Sequence, residues 1–145
     1  MARPDVRLFL SNPVREKVSY DVYVDALGRA AARAGVDAGF LRGPEAAGRV
    51  VHGESIHHRE APQCVAAGRV DVAVVFRHLA LRYVRIFPDV FEMRPLDRES
   101  APSASAPTHI GLVGSGGIWG RRLIEFMRGS AVAAIYSHHG LAPLG

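Results

Sequence analysis

The sequence contains one cysteine, Cys64, no run of apolar residues long enough to span a membrane, and no concentrated tract of charge. A lone cysteine cannot close an intramolecular disulfide, and inside an apolar helical stretch Cys64 reads as a small buried side chain. Without about 18 consecutive apolar residues, no helix crosses a bilayer. Met1-Ala2-Arg3-Pro4-Asp5 lacks the apolar segment of a signal peptide, which leaves a cytosolic protein, or a processed or truncated chain, as the readings. There is no G-x-S-x-G elbow, and nothing around Cys64 marks it as an activated thiol. No convergent nucleophile, base and orienting group is visible, so neither catalysis nor a cofactor is expected.

What is present bounds the protein further. The 145 residues, 48% of them hydrophobic, suit one domain with a genuine core and exclude a mainly disordered chain. Eighteen Lys and Arg against fourteen Asp and Glu give a net charge of +4. This balance favours anionic partners. The basic residues are scattered from Arg3 to Arg128 without interleaved aromatics, so direct nucleic-acid binding is not expected.

Taken in order, Val6 to Leu10 reads as a short strand stopped by Ser11-Asn12-Pro13. Val18 to Ala34 carries a helical apolar stripe, with Ser19 as candidate cap and Gly35 as stop. Phe40-Leu41 suits a short element, Gly43-Pro44 a turn and Val50-Val51 a short strand. Ile56 to Phe76 reads as a polar turn, a helix closed by Gly68 and a strand, Val70 to Phe76, apolar except for Asp71. Leu79 to Phe87 suits a helix ended by Pro88, and Val90 to Leu96 a strand. Ser100 to Thr108 contains only Ser, Ala, Pro and Thr and reads as a connection. Beyond it, His109 to Val113 is predicted as a strand and Ile118 to Ser137 as one helix ended by Gly140. The predicted organisation is an α/β lobe over residues 5–99, a crossover linker over 100–108, and a return strand with a closing helix over 109–145.

Gly114-Ser115-Gly116 between a strand and a helix imitates the start of a dinucleotide fingerprint. Trp119 stands at the third glycine position, and no strand follows to carry a ribose-binding acid. Seven histidines raise a metal, and His52, Glu54, His57 and His58 lie close in sequence. No H-x-x-x-H or C-x-x-C spacing occurs, and adjacent His57 and His58 point apart on a helix or strand, so no metal site is expected. The candidate site is instead a set of turns at strand ends: Ser11, Asn12, Ser19, Tyr20, Ser55, His57, His58 and Phe76. In an open α/β sheet, ligands sit beyond the carboxyl ends of strands, where the following helices offer unpaired amides to anions. Ordinary turn and capping duties explain Ser11, Asn12 and Ser19 equally well.

Three segments resemble the type II periplasmic binding-protein fold, and within it the molybdate-binding, oxyanion-type substrate-binding proteins of ABC transporters. They are Leu8-Phe9-Leu10-Ser11-Asn12-Pro13, Ile56 to Pro62 with Gly68 to Phe76, and Phe126-Met127-Arg128-Gly129-Ser130 with His139-Gly140-Leu141. The resemblance implies an open mixed sheet flanked by helices, similar to the second lobe of that family, with the first lobe largely absent. It implies a non-enzymatic solute-binding domain for a small anion such as molybdate, tungstate or a small carboxylate. The family's ligand amides and donor hydroxyl correspond to Ser19-Tyr20, His57-His58 and Phe76, and Phe76 has no hydroxyl to donate. Implied partners are a small anionic ligand, an ABC transporter permease, and a second copy completing the missing lobe. The implied location is periplasmic or at the cell surface. An effector-sensing domain of a cytosolic transcription regulator with the same fold is the other reading.

Overall fold

The computed structural model describes residues 3–42, 46–96 and 110–142. The chain divides into two compact units, residues 1–105 and 106–145. In the first unit, β1 (Leu8–Leu10), α1 (Lys17–Arg33), a short 3-10 turn (Gly39–Leu41), β2 (Val50–His52), α2 (His57–Ala66), β3 (Val72–Ala73) and α3 (Arg77–Ile86) follow one another. The three strands form one sheet in the order β2-β1-β3, and both pairings are parallel. The protein is therefore α/β, and the expected mixed sheet is corrected to a parallel one among the described residues. Because each strand is followed by a helix, the starts of α1, α2 and α3 all follow carboxyl ends of strands.

The central strand explains the core. Leu8, Phe9 and Leu10 are all buried, as expected where both faces are covered. Leu8 and Leu10 pack with Tyr23, Val24 and Leu27 of α1. Phe9, pointing the other way, packs with Ala61 and Cys64 of α2 and with Val70. Cys64 is thus a buried core side chain, as its apolar surroundings predicted. At the amino edge the Asp71 carboxylate receives the Arg7 backbone N–H at 2.8 Å and the guanidinium at 3.0 and 3.1 Å, fixing the β1-β3 register.

Several elements differ from the sequence expectation. β3 is only two residues long: the Val74 N–H still reaches the Phe9 carbonyl at 3.3 Å, but β1 ends at Leu10 and offers no ladder to Val75 and Phe76. Residues 91–96 form no strand, having no pairing partner among the described residues. Ser19 lies within α1, whose N-cap is Glu16, so Ser19 is not the cap. Gly35 and Gly68 do stop their helices, each at φ 65°. The Gly43-Pro44 turn and the linker over 100–108 lie outside the described residues.

In the second unit, residues 110–112 are irregular rather than a strand, and His109 is outside the described residues. The single predicted helix is two, α4 (Gly117–Met127) and α5 (Ser130–His138). Gly129, extended at φ −72° and ψ 158°, caps the second and breaks the run. The two helices touch through Tyr136 of α5, whose hydroxyl reaches Met127 Sδ at 4.0 Å, and Val132 is the buried residue of α5. Among the described residues no helix is long and apolar enough to cross a membrane.

Candidate functional site

The carboxyl edge of the sheet is built by three short loops, each with its own fastening. After β1, the Asn12 Oδ1 accepts the N–H groups of Val14 and Arg15, both at 2.9 Å. Its amide donates to the Gly53 carbonyl at 2.8 Å, tying the β1 loop to the β2 loop. Asn12 is therefore committed to the turn. Ser11, just before it, is fully enclosed, and its Oγ has no hydrogen-bond partner. Such a group costs free energy unless something pairs with it.

The β2 loop and the start of α2 are organised by two carboxylates. Glu60 reaches back from the first turn and accepts the N–H groups of Glu54, Ser55 and Ile56 at 2.6, 2.7 and 3.0 Å. These are helix-start donors that would otherwise lack partners. Desolvation alone would raise the Glu60 carboxyl. The three amides and the neighbouring His57 outweigh it and hold the group below the usual carboxylate range. The close approach also explains a glycine, since a Cβ on Gly53 would lie 2.8 Å from Glu60 Oε2 and 3.2 Å from Phe9 Cζ.

Glu16, the N-cap of α1, accepts the His57 backbone N–H at 3.1 and 3.3 Å. Its Oε1 also lies 2.7 Å from His57 Nδ1. His57 is 1% exposed, and its Nε2 is 2.9 Å from the Tyr23 hydroxyl and 3.2 Å from His58 Nδ1. A buried imidazole needs such partners. Burial pushes the Tyr23 phenol up, the Phe76 backbone amide works against that, and the charge of Glu16 adds to the rise. The expectation that the His57 amide faces an external anion is accordingly corrected: that amide, with those of residues 54–56, is taken by the chain's own carboxylates.

Pro62 creates a further tie. Inside α2 it has no N–H to give the His58 carbonyl four residues earlier. The Tyr83 hydroxyl of α3 donates to that carbonyl instead, at 2.9 Å. This bond fastens α3 to the start of α2. Phe76, the N-cap of α3, packs its ring on Tyr23 at 5.0 Å and on His78 at 5.9 Å. Burial lowers the imidazole of His58, and the adjacent His57 adds to the effect. Burial lowers His78 as well, with a contribution from His58.

Of the sequence-predicted residues, His57, His58 and Phe76 come together around Tyr23. Tyr20 packs on His52 at 5.7 Å, and His52 Nδ1 is 3.3 Å from the Ser11 carbonyl. Ser55 is exposed and contributes its amide to Glu60. Ser19 is a partly buried residue in the first turn of α1. Sequence reasoning missed Glu16, Tyr23, Glu60, His78 and Tyr83. For Glu60 a signal existed, since an acid in a helix's first turn commonly serves its amides. Among the described residues no group of three or more His, Cys, Asp or Glu is placed to hold a metal ion.

No family model, curated protein or solved structure gives a significant match to this chain.

Proposed function

We propose that the chain is a small-anion-binding α/β domain, of the kind found in substrate-binding proteins, which holds its ligand at the carboxyl edge of the sheet without transforming it. The observation that carries this reading is the charge at the helix starts. Arg15 and Lys17 flank the start of α1, and Arg77 opens α3. Neither helix has an acid in its first turn, and the one carboxylate at these starts, the N-cap Glu16 of α1, is turned to His57. Cations at a helix N-terminus add to the positive end of the macrodipole and cost stability there, about 0.3–1 kcal/mol each when exposed. Lys17 is partly balanced by Asp21 one turn on. An anion bound between the two starts offsets the remainder.

The unpartnered Ser11 hydroxyl at the end of the central strand supplies a neutral donor for the same ligand. The start of α2 plays a different part. With the His57 amide taken by Glu16 and the amides of residues 54–56 by Glu60, it holds the imidazoles in place as one wall of the site. Oxyanions such as molybdate and tungstate, and small carboxylates, are the ligand class. Titration calorimetry with molybdate, tungstate, sulfate and acetate is expected to show binding by at least one. Binding by none overturns the proposal.

A further inference from the structure

Three imidazoles form a row at this edge. His57 is enclosed, His58 Nδ1 lies 3.2 Å from its Nε2 with ring centroids 4.3 Å apart, and the half-buried His78 stacks on Phe76 and senses the charge of His58. The row bridges the starts of α2 and α3, which Tyr83 holds together. We propose that anion uptake at this edge is coupled to protonation of His58 and His78, so that a fully ionised anion enters together with protons. This rests on the anion-binding reading above and adds its regulation by pH.

The surrounding charges explain why. Glu16, preceding α1, bonds to His57, and its charge raises His58 by less than burial and His57 lower it, while Glu60 of α2 is directed at backbone amides. Arg59 on α2 and Arg77 on α3 add positive charge, and the Tyr23 phenol is neutral. Without a bound anion, burial and the charge of a neighbouring imidazole, His57 for His58 and His58 for His78, lower the proton affinity of both. An anion supplies the missing negative charge and raises both. By linkage, whatever raises an imidazole's proton affinity on binding is itself bound more tightly as pH falls.

The test is titration calorimetry of the full chain with sulfate between pH 8 and 5.5, in two buffers of different ionisation enthalpy. Sulfate stays fully ionised over this range, so any proton taken up belongs to the protein. Affinity is expected to rise as pH falls, approaching about tenfold per pH unit for each proton gained, and to level off once the empty site is itself protonated. His58→Gln and His78→Gln are each expected to lose part of the proton uptake and to flatten the pH dependence. Sulfate binding with no proton exchange and constant affinity overturns the coupling and leaves the anion reading standing. Uptake that persists in both variants overturns the assignment to these two residues. Absence of binding by sulfate, molybdate, tungstate and acetate at every pH overturns both.

Discussion

The Glu16 carboxylate meets His57 at two points, its backbone N–H at 3.1 Å and its Nδ1 at 2.7 Å, across 41 residues of sequence. The start of α1 and the start of α2 are thereby one structure. Glu16→Ala leaves a buried imidazole and a helix-start amide without their acceptor, and is expected to cost about 1–3 kcal/mol. Chemical denaturation of the variant measures it. Glu16→Gln retains an acceptor oxygen and is expected to cost less.

Gly53 and Glu60 are expected to be coupled. A methyl group at position 53 meets Glu60 Oε2 at 2.8 Å, so Gly53→Ala displaces the carboxylate from the amides of residues 54–56. Destabilisation of about 1–3 kcal/mol is expected, from strain and lost hydrogen bonds together. In a Glu60→Ala background the same glycine change is expected to cost less, leaving the tight contact with Phe9. A double-mutant cycle reads the difference.

Tyr83 and Pro62 give a second cycle. Tyr83→Phe removes the hydroxyl that donates to the His58 carbonyl in place of the missing Pro62 amide. The expected loss is about 1 kcal/mol. Adding Pro62→Ala supplies a backbone N–H to that carbonyl, so the penalty of Tyr83→Phe is expected to shrink in the double variant.

Stability is expected to fall with acid in two stages. His58 and His78 bind protons less readily folded than unfolded, so their contribution is complete above the ordinary imidazole value of 6.5 and is lost as pH drops below it. Asp71 is held down at about 2 by the hydrogen bonds of the Arg7 guanidinium and backbone N–H, against an ordinary value of 3.8. Its contribution is present above 3.8 and disappears as pH falls toward 2. Thermal unfolding across this range is expected to show both declines, and Asp71→Asn is expected to flatten only the lower one.

Much of the framework was legible in the sequence because it rests on local signals. The apolar run at Leu8–Leu10, the stripe along α1, and glycines at 35 and 68 specify strand, helix and stop within a few residues. Strand length was not legible, since β3 and residues 91–96 depend on whether a partner strand continues alongside. The helix break at Gly129 was hidden because apolar periodicity runs through it. The candidate site was half visible. His57, His58 and Phe76 lie in one continuous segment, but Glu16 and Tyr23 reach His57 from 41 and 34 residues away. No local pattern shows that the amides of a helix start are already occupied by carboxylates of the same chain.

Ser11 separates ligand binding from folding. Its hydroxyl is enclosed and unpartnered, so Ser11→Ala removes a buried polar group that stabilises nothing in the ligand-free protein. Unfolding measurements are expected to find stability unchanged or raised by up to about 1 kcal/mol, while affinity for the bound anion falls.

The most direct measurement is residue-resolved: amide chemical shifts of the full chain during titration with sulfate and with molybdate. The amides of residues 15–19 and 76–78, with that of Ser11, are expected to move together along one saturating curve. Shifts that fail to saturate, or that cluster away from the carboxyl ends of β1 and β3, contradict an anion site at this edge.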